Sequence, residues 1–223
     1  MQLQPRDRLI FALDVPTADE ALEWVDRLEP SFGVFKIGLE LFTAGGPDVV
    51  RRVVDRGQKV FLDLKLHDIP TTIERAARSV SRLGIWAVNA HAAGGRVMLE
   101  AAVCGAGSSV RVIGVTRLTS DEASEADVVA LARVSQDAGC AGVVCAGSEA
   151  AAVRAELGPD AVIVCPGIRP QGGDRNDQTR VVPPSVALKS GASHVVIGRI
   201  VRDAADPEGV SRDLLRDVTQ ALG

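Results

Sequence analysis

Short apolar runs alternate with longer amphipathic stretches along the whole chain. The runs cover residues 9–13, 33–37, 59–64, 85–90, 110–115, 141–145, 161–164 and 194–197, and each is rich in Val, Ile or Leu. Most are near-continuously apolar rather than alternating, the pattern of parallel strands covered on both faces. The stretches between them carry helical periodicity. Thr17-Ala18-Asp19-Glu20 reads as a capping box ahead of Ala21, Leu22 and Val25, so a helix opens there. Residues 47–56 place Val49, Val50, Val53 and Val54 on one face, and Gly57 follows as a stop. Further helices are predicted over 71–83, 94–103, 126–138, 148–157, 184–190 and 207–222.

Eight strand–helix alternations, without a Ser/Gly-rich linker or a visible repeat, predict an α/β chain forming a single-domain (β/α)8 TIM barrel over residues 1–223. The alternative is an open doubly wound sheet. Such a sheet ordinarily carries a Gly-rich turn after its first strand, and Leu13-Asp14-Val15-Pro16 is not one.

Composition removes several function classes. With 46% hydrophobic and 24% charged residues the chain reads as a soluble globular protein, and its 3% aromatic share leaves the core to aliphatic side chains. The net charge of −4, without a Lys/Arg block, argues against nucleic acid as a partner. No apolar run reaches membrane-span length and Met1–Arg6 lacks a signal-peptide core, so a cytoplasmic protein with no membrane partner is expected. Cys104, Cys140, Cys145 and Cys165 form no C-x-x-C pair and no Cys/His spacing suited to zinc. They read as small hydrophobes, and no metal ligand is assigned.

The informative residues are the polar ones that interrupt apolar strands at their ends, because a parallel barrel builds its site at that mouth. Asp14 ends the first run, Lys36 lies near the end of the second, His91 follows the fourth, Thr116 the fifth, and Gly198-Arg199 the eighth. The third run is densest, with Val60-Phe61-Leu62-Asp63-Leu64-Lys65. Strand alternation points Asp63 and Lys65 inward above Phe61 and sends Leu62, Leu64 and Leu66 outward. Burying two such charges costs several kcal/mol unless partners compensate. The pair is therefore either a buried salt bridge fixing the barrel's register or part of a functional site. Pro70 forces Ile69 to be extended, so Asp68 lies in the loop beyond the strand. A second constellation, Pro166-Gly167-Ile168-Arg169-Pro170-Gln171-Gly172-Gly173-Asp174, follows the seventh run and neighbours Gly198-Arg199. Glycine amides, the Gln171 amide and the Arg199 fork together suit a phosphomonoester.

These motifs resemble the bacterial branch of the orotidine 5'-monophosphate decarboxylase family over nearly the whole chain. The resemblance rests on residues 9–14, Phe35-Lys36-Ile37-Gly38, Asp63-Leu64-Lys65-Leu66-His67-Asp68-Ile69-Pro70-Thr71-Thr72, Asn89-Ala90-His91-Ala92, and residues 115–120, 166–173 and 196–199. The Asp-x-Lys-x-x-Asp core is shared with related barrels acting on sugar phosphates, whereas the following Ile-Pro-x-Thr is specific to this family.

The resemblance implies conversion of orotidine 5'-monophosphate to uridine 5'-monophosphate and CO2 in de novo pyrimidine biosynthesis, with no cofactor, by a homodimer with shared active sites. In that frame Lys65 protonates the carbon that loses CO2, Asp63 lies beside the departing carboxylate, and Asp68 reaches in from the neighbouring subunit. Asp14 and Lys36 match positions contacting the ribose and the charged network. Thr72 matches a ribose contact made across the interface, and Thr119 a contact to the pyrimidine. Gln171, Gly198 and Arg199 match the phosphate grip. Arg117 stays unassigned; His67, His91 and His194 read as packing or hydrogen-bonding residues. A metal-dependent sugar-phosphate decarboxylase or aldolase is the rival enzyme, and a non-enzymatic phosphate-binding barrel the rival of another class.

Overall fold

The computed structural model describes residues 3–120, 122–167 and 183–222. Its strands are β1 Leu9–Ala12, β2 Val34–Ile37, β3 Lys59–Leu66, β4 Ala87–His91, β5 Arg111–Val115, β6 Gly142–Val144, β7 Val162–Cys165 and β8 His194–Ile197. All pair in parallel with their sequence neighbours, and β8 pairs with β1, which closes the barrel. The helices are α1 Ala18–Leu28, α2 Leu39–Val54, α3 Pro70–Ser81, α4 Gly95–Ala106, α5 Glu125–Asp137, α6 Ala150–Leu157, α7 Pro184–Lys189, α8 Arg199–Arg202 and α9 Pro207–Leu222. Among the described residues no helix is long and apolar enough to cross a membrane.

The apolar runs segregate into two cores, as strands covered on both faces require. Ile10, Val34, Phe61, Ala87, Ile113, Val115, Val144 and Val164 fill the barrel interior. Their strand neighbours, including Phe11, Phe35, Leu62, Val88, Val143, Ile163 and Val195, pack outward beneath the helices. Leu64 and Leu66 pack against that outer cluster, as the alternation along the third run predicts. Thr17 caps α1 by accepting a hydrogen bond from the Glu20 amide at 3.3 Å.

Three elements depart from the periodicity. Helix α2 begins at Leu39 rather than at residue 47, and is kinked where Gly46 takes φ 58°. The turns ahead of Pro47 bury only Leu41, so they lack an apolar stripe that would mark them as helical. Helix α8 is a single turn, too short to carry a period. Strand β3 runs two residues past Leu64 because it contains a bulge, whose consequences lie in the site.

The floor of the barrel, at the opposite end from that site, holds His194. Its ring packs 4.9 Å from that of Trp86, and only 3% of the residue is exposed. Burial, reinforced by the nearby cations Arg8, Lys59 and Arg111, pushes its pKa from 6.5 down to about 3, with Asp7 opposing. The imidazole is thus neutral in the folded protein at every ordinary pH. An unfolded chain takes up a proton here below pH 6.5 while the folded chain does not until about pH 3. Stability is therefore unaffected above this window and is lost as pH falls through it. We predict that His194→Gln flattens the pH dependence of unfolding free energy between pH 6.5 and 5, removing a slope of up to about 1.4 kcal/mol per pH unit. Urea titrations at several pH values read this directly, and an unchanged slope contradicts it.

Candidate functional site

At the C-terminal ends of the strands the barrel opens into a cavity of about 330 Å³. Phe61, Val115, Val144, Val164 and Val196 form its apolar base and walls. Above them stand Asp14, Lys36, Asp63, Lys65 and Asn89 on the β1–β4 side. Arg117, Leu118, Thr119 and Ser120 follow β5; Pro166 and Gly167 follow β7; Gly198 and Arg199 follow β8.

The charged side chains form a continuous chain. Lys36 Nζ lies 2.8 Å from Asp14 Oδ1 and 3.6 Å from Asp63 Oδ2. Lys65 Nζ donates to Asp63 Oδ1 at 2.7 Å. Asp63 is at the centre, with its side chain 13% exposed. Burial pushes its carboxyl upward in pKa, but Lys36 and Lys65, with hydrogen bonds from Lys65 and Asn89, outweigh that and hold it below its ordinary value. Gly38 makes room for one end of the chain. A Cβ there would lie 3.0 Å from Lys36 Nζ and 3.4 Å from Asp14 Oδ1. The Asp14 backbone is tied down too, because its carbonyl accepts from Arg202 Nη1 at 2.8 Å.

Asp63 and Lys65 share the inward face as the alternation predicts, but through an irregular backbone. Leu62 pairs with Val88 and Leu66 with Ala90, so three residues of β3 stand opposite the single Asn89 of β4. Two extra residues leave the inward–outward parity intact. The excess is absorbed at Lys65, the one described non-glycine residue with positive φ, at 50°. A lysine held there is strained by roughly 1–3 kcal/mol. Asn89 takes over the missing ladder bonds. Its Oδ1 accepts the Lys65 amide at 2.7 Å and its Nδ2 donates to Asp63 Oδ1 at 2.7 Å.

Of the residues singled out from the sequence, Asp14, Lys36, Asp63, Lys65, Thr119, Gly198 and Arg199 come together around the cavity. Asp68 and Thr72 do not. Asp68 is exposed and accepts from the Ile69 amide at 2.6 Å, while Thr72 is exposed on the first turn of α3. Gln171 and Arg169 lie outside the described residues. Thr116 is buried, and its hydroxyl donates to the Val144 carbonyl at 2.9 Å, so it joins β5 to β6. His67 and His91 pack against each other with ring centroids 5.6 Å apart.

Asn89 and Arg202 are the contributors that sequence reasoning missed. For Asn89 a signal existed, since it is the polar residue inside Ala87-Val88-Asn89-Ala90, the same interruption that marks Asp63. Nothing in the sequence pointed to Arg202. Chemically, two ammonium groups set around a desolvated carboxylate can bind an anion, stabilise negative charge developing nearby and deliver a proton to it. Among the described residues no group of three or more His, Cys, Asp or Glu side chains is placed to hold a metal ion.

If Asn89 secures the bulge, Asn89→Ala should destabilise the protein by about 2–3 kcal/mol, the scale of stranding buried polar partners. Urea unfolding measures this. A change under about 0.5 kcal/mol, typical of surface substitutions, would show that the bulge holds without it.

Known proteins place the chain. The family model described as "Orotidine 5'-phosphate decarboxylase / HUMPS family" matches residues 7–214. The orotidine 5'-phosphate decarboxylase of Anaeromyxobacter sp. (strain K) is 47% identical over 221 residues, spanning 94% of this chain and 97% of that protein. The enzyme of the same name from Moorella thermoacetica is 42% identical over 238 residues, spanning 98% and 94%. The crystal structure of orotidine 5'-phosphate decarboxylase from Lactobacillus acidophilus superposes with a TM-score of 0.82 at 29% identity, covering 95% of this chain and 99% of that one. On its sequence and its barrel alike, this chain belongs to the orotidine 5'-phosphate decarboxylase / HUMPS family.

Proposed function

We propose that the protein converts orotidine 5'-monophosphate to uridine 5'-monophosphate and CO2, as a cytoplasmic carbon–carbon lyase of pyrimidine biosynthesis acting as one catalytic domain over residues 1–223. The observation that carries this reading is the Asp14–Lys36–Asp63–Lys65 chain within the cavity, in a member of this family.

The chemistry accounts for the arrangement. Breaking the bond between C6 and the carboxylate releases CO2 and leaves the electron pair on C6, in an orbital that the ring cannot delocalise. Fixed positive charge is then the available stabiliser, and Lys65 supplies it. The same ammonium transfers its proton to C6 as general acid, and solvent restores it. No step of this scheme draws on a cofactor. Asp63 lies beside the departing carboxylate and orients Lys65. Asp14 and Lys36 hold the ribose, and Thr119 meets the pyrimidine. Gly198 and Arg199, with Gln171, grip the phosphate. Binding energy from that remote grip offsets the cost of bringing an anionic substrate against Asp63.

The same reading includes a homodimer in which Asp68 and Thr72 serve the neighbouring site. Two features support it. Neither residue lines the cavity of its own chain. Exposed apolar residues also stand at the mouth ends of three adjacent helices, namely Leu39 on α2, Ile69 ahead of α3 and Val97 on α4, as a surface awaiting a partner would show.

Two experiments test these claims. Purified protein should consume orotidine 5'-monophosphate, read by loss of its absorbance, at the same rate with and without EDTA. Loss of activity in chelator would point to the metal-dependent sugar-phosphate enzymes instead, and inactivity under both conditions would sink the decarboxylase reading. For the shared site, Asp68→Asn and Lys65→Ala proteins should each be inactive alone, while verified mixed dimers recover one working site. No recovery in those dimers contradicts the contribution in trans.

A further inference from the structure

We propose that Arg117 is a rim cation that draws the anionic substrate into the mouth and sets how fast the enzyme captures it. The inference rests on the reading above, in which the substrate carries a carboxylate and a phosphate.

Such a substrate approaches a chain whose net charge is −4, so the overall field opposes it. Within the cavity, Lys36 and Lys65 are each held by carboxylates, through Asp14 and Asp63. Their charges act at close range and project little field outward. Arg117 differs from both. It borders the same cavity but is exposed. Among the described residues no hydrogen bond or ion pair engages it. It follows β5, half-way round the eight-stranded barrel from the Asp14 end of the charged chain. Its base is fixed, because the preceding Thr116 is buried and bonded to the Val144 carbonyl. A guanidinium with no partner among the described residues, on a fixed base beside the entrance, acts chiefly on the approach of a charged ligand rather than on bonds changing deep in the site.

Two physical marks separate this role from direct binding. The effect is long-ranged, so salt screens it, with a Debye length of about 10 Å at 0.1 M and about 3 Å at 1 M. It also follows charge rather than shape, so lysine should replace arginine, whereas a bidentate contact would not tolerate that change.

The test compares kcat and kcat/KM for orotidine 5'-monophosphate in wild type, Arg117→Gln, Arg117→Lys and Arg117→Glu, at about 0.02 M and about 0.5 M salt. For Arg117→Gln, kcat/KM should fall roughly three- to tenfold at low salt, the gap should close at high salt, and kcat should hold. Arg117→Lys should behave as wild type and Arg117→Glu should fall further than the glutamine variant. The proposal is overturned by unchanged kcat/KM in Arg117→Gln at low salt, by a loss that persists at high salt and in Arg117→Lys, or by a loss in kcat. An inactive wild type would remove the proposed reaction and this inference together. An active wild type with an indifferent Arg117→Gln would remove this inference alone.

Discussion

The site depends on keeping one carboxylate charged in a place that water hardly reaches. Asp63 is largely buried at the mouth of the barrel, and burial alone would favour its neutral form. Lys36 and Lys65 flank it, and Asn89 donates to it. Each partner is needed because desolvating a charge costs several kcal/mol unless well-placed groups compensate. The compensation in turn dictates backbone shape. For Lys65 to turn back onto Asp63 two residues away, β3 bulges and Lys65 enters the left-handed region. The Asn89 side chain then fills the gap that the bulge opens in the ladder. Salt bridge and functional site were alternatives on the sequence alone; in the structure the same pair both shapes the strand and lines the cavity.

Much of this was legible beforehand because both sides of each strand are buried. Near-continuous apolar runs mark parallel strands by composition, and all eight lie where the runs do. The facing of Asp63 and Lys65 also followed from alternation, though for an incomplete reason. A bulge of one residue would have turned Lys65 to the helices; two residues restored the phase. Pattern could not reveal this, since lysine carries no preference for positive φ. The turns from Leu39 to Gly45 stayed hidden because they present little apolar surface. Asn89 is readable by the same logic as Asp63, but its amide carries no charge that demands a partner, so the signal in the strand is weaker.

Floor and mouth of the barrel solve opposite problems with similar residues. At the floor, His194 is surrounded by cations and burial, and the cheapest state is a neutral ring packed on Trp86. At the mouth, alternating signs make full charge affordable close to an apolar base. The difference is pairing, not burial: Lys36 is nearly as enclosed as the core, at 9% exposure, yet it stands between two carboxylates. Such a stretch of fixed, partnered charge beside apolar walls suits a reaction whose demand is electrostatic. It also explains why Asp68 and Thr72, exposed outside this enclosure, contribute nothing to it within their own chain.

In the proposed reaction the Lys65 ammonium, aimed by Asp63, carries the chemistry. Its most direct test is single-turnover decarboxylation of orotidine 5'-monophosphate by saturating Lys65→Ala protein, with folding checked by circular dichroism. The fold should be retained and the rate lowered by about 10⁴-fold or more, as the loss of both a fixed charge and a general acid requires. A folded Lys65→Ala protein that decarboxylates within about tenfold of wild type would contradict it, since one mispositioned group already costs more than that.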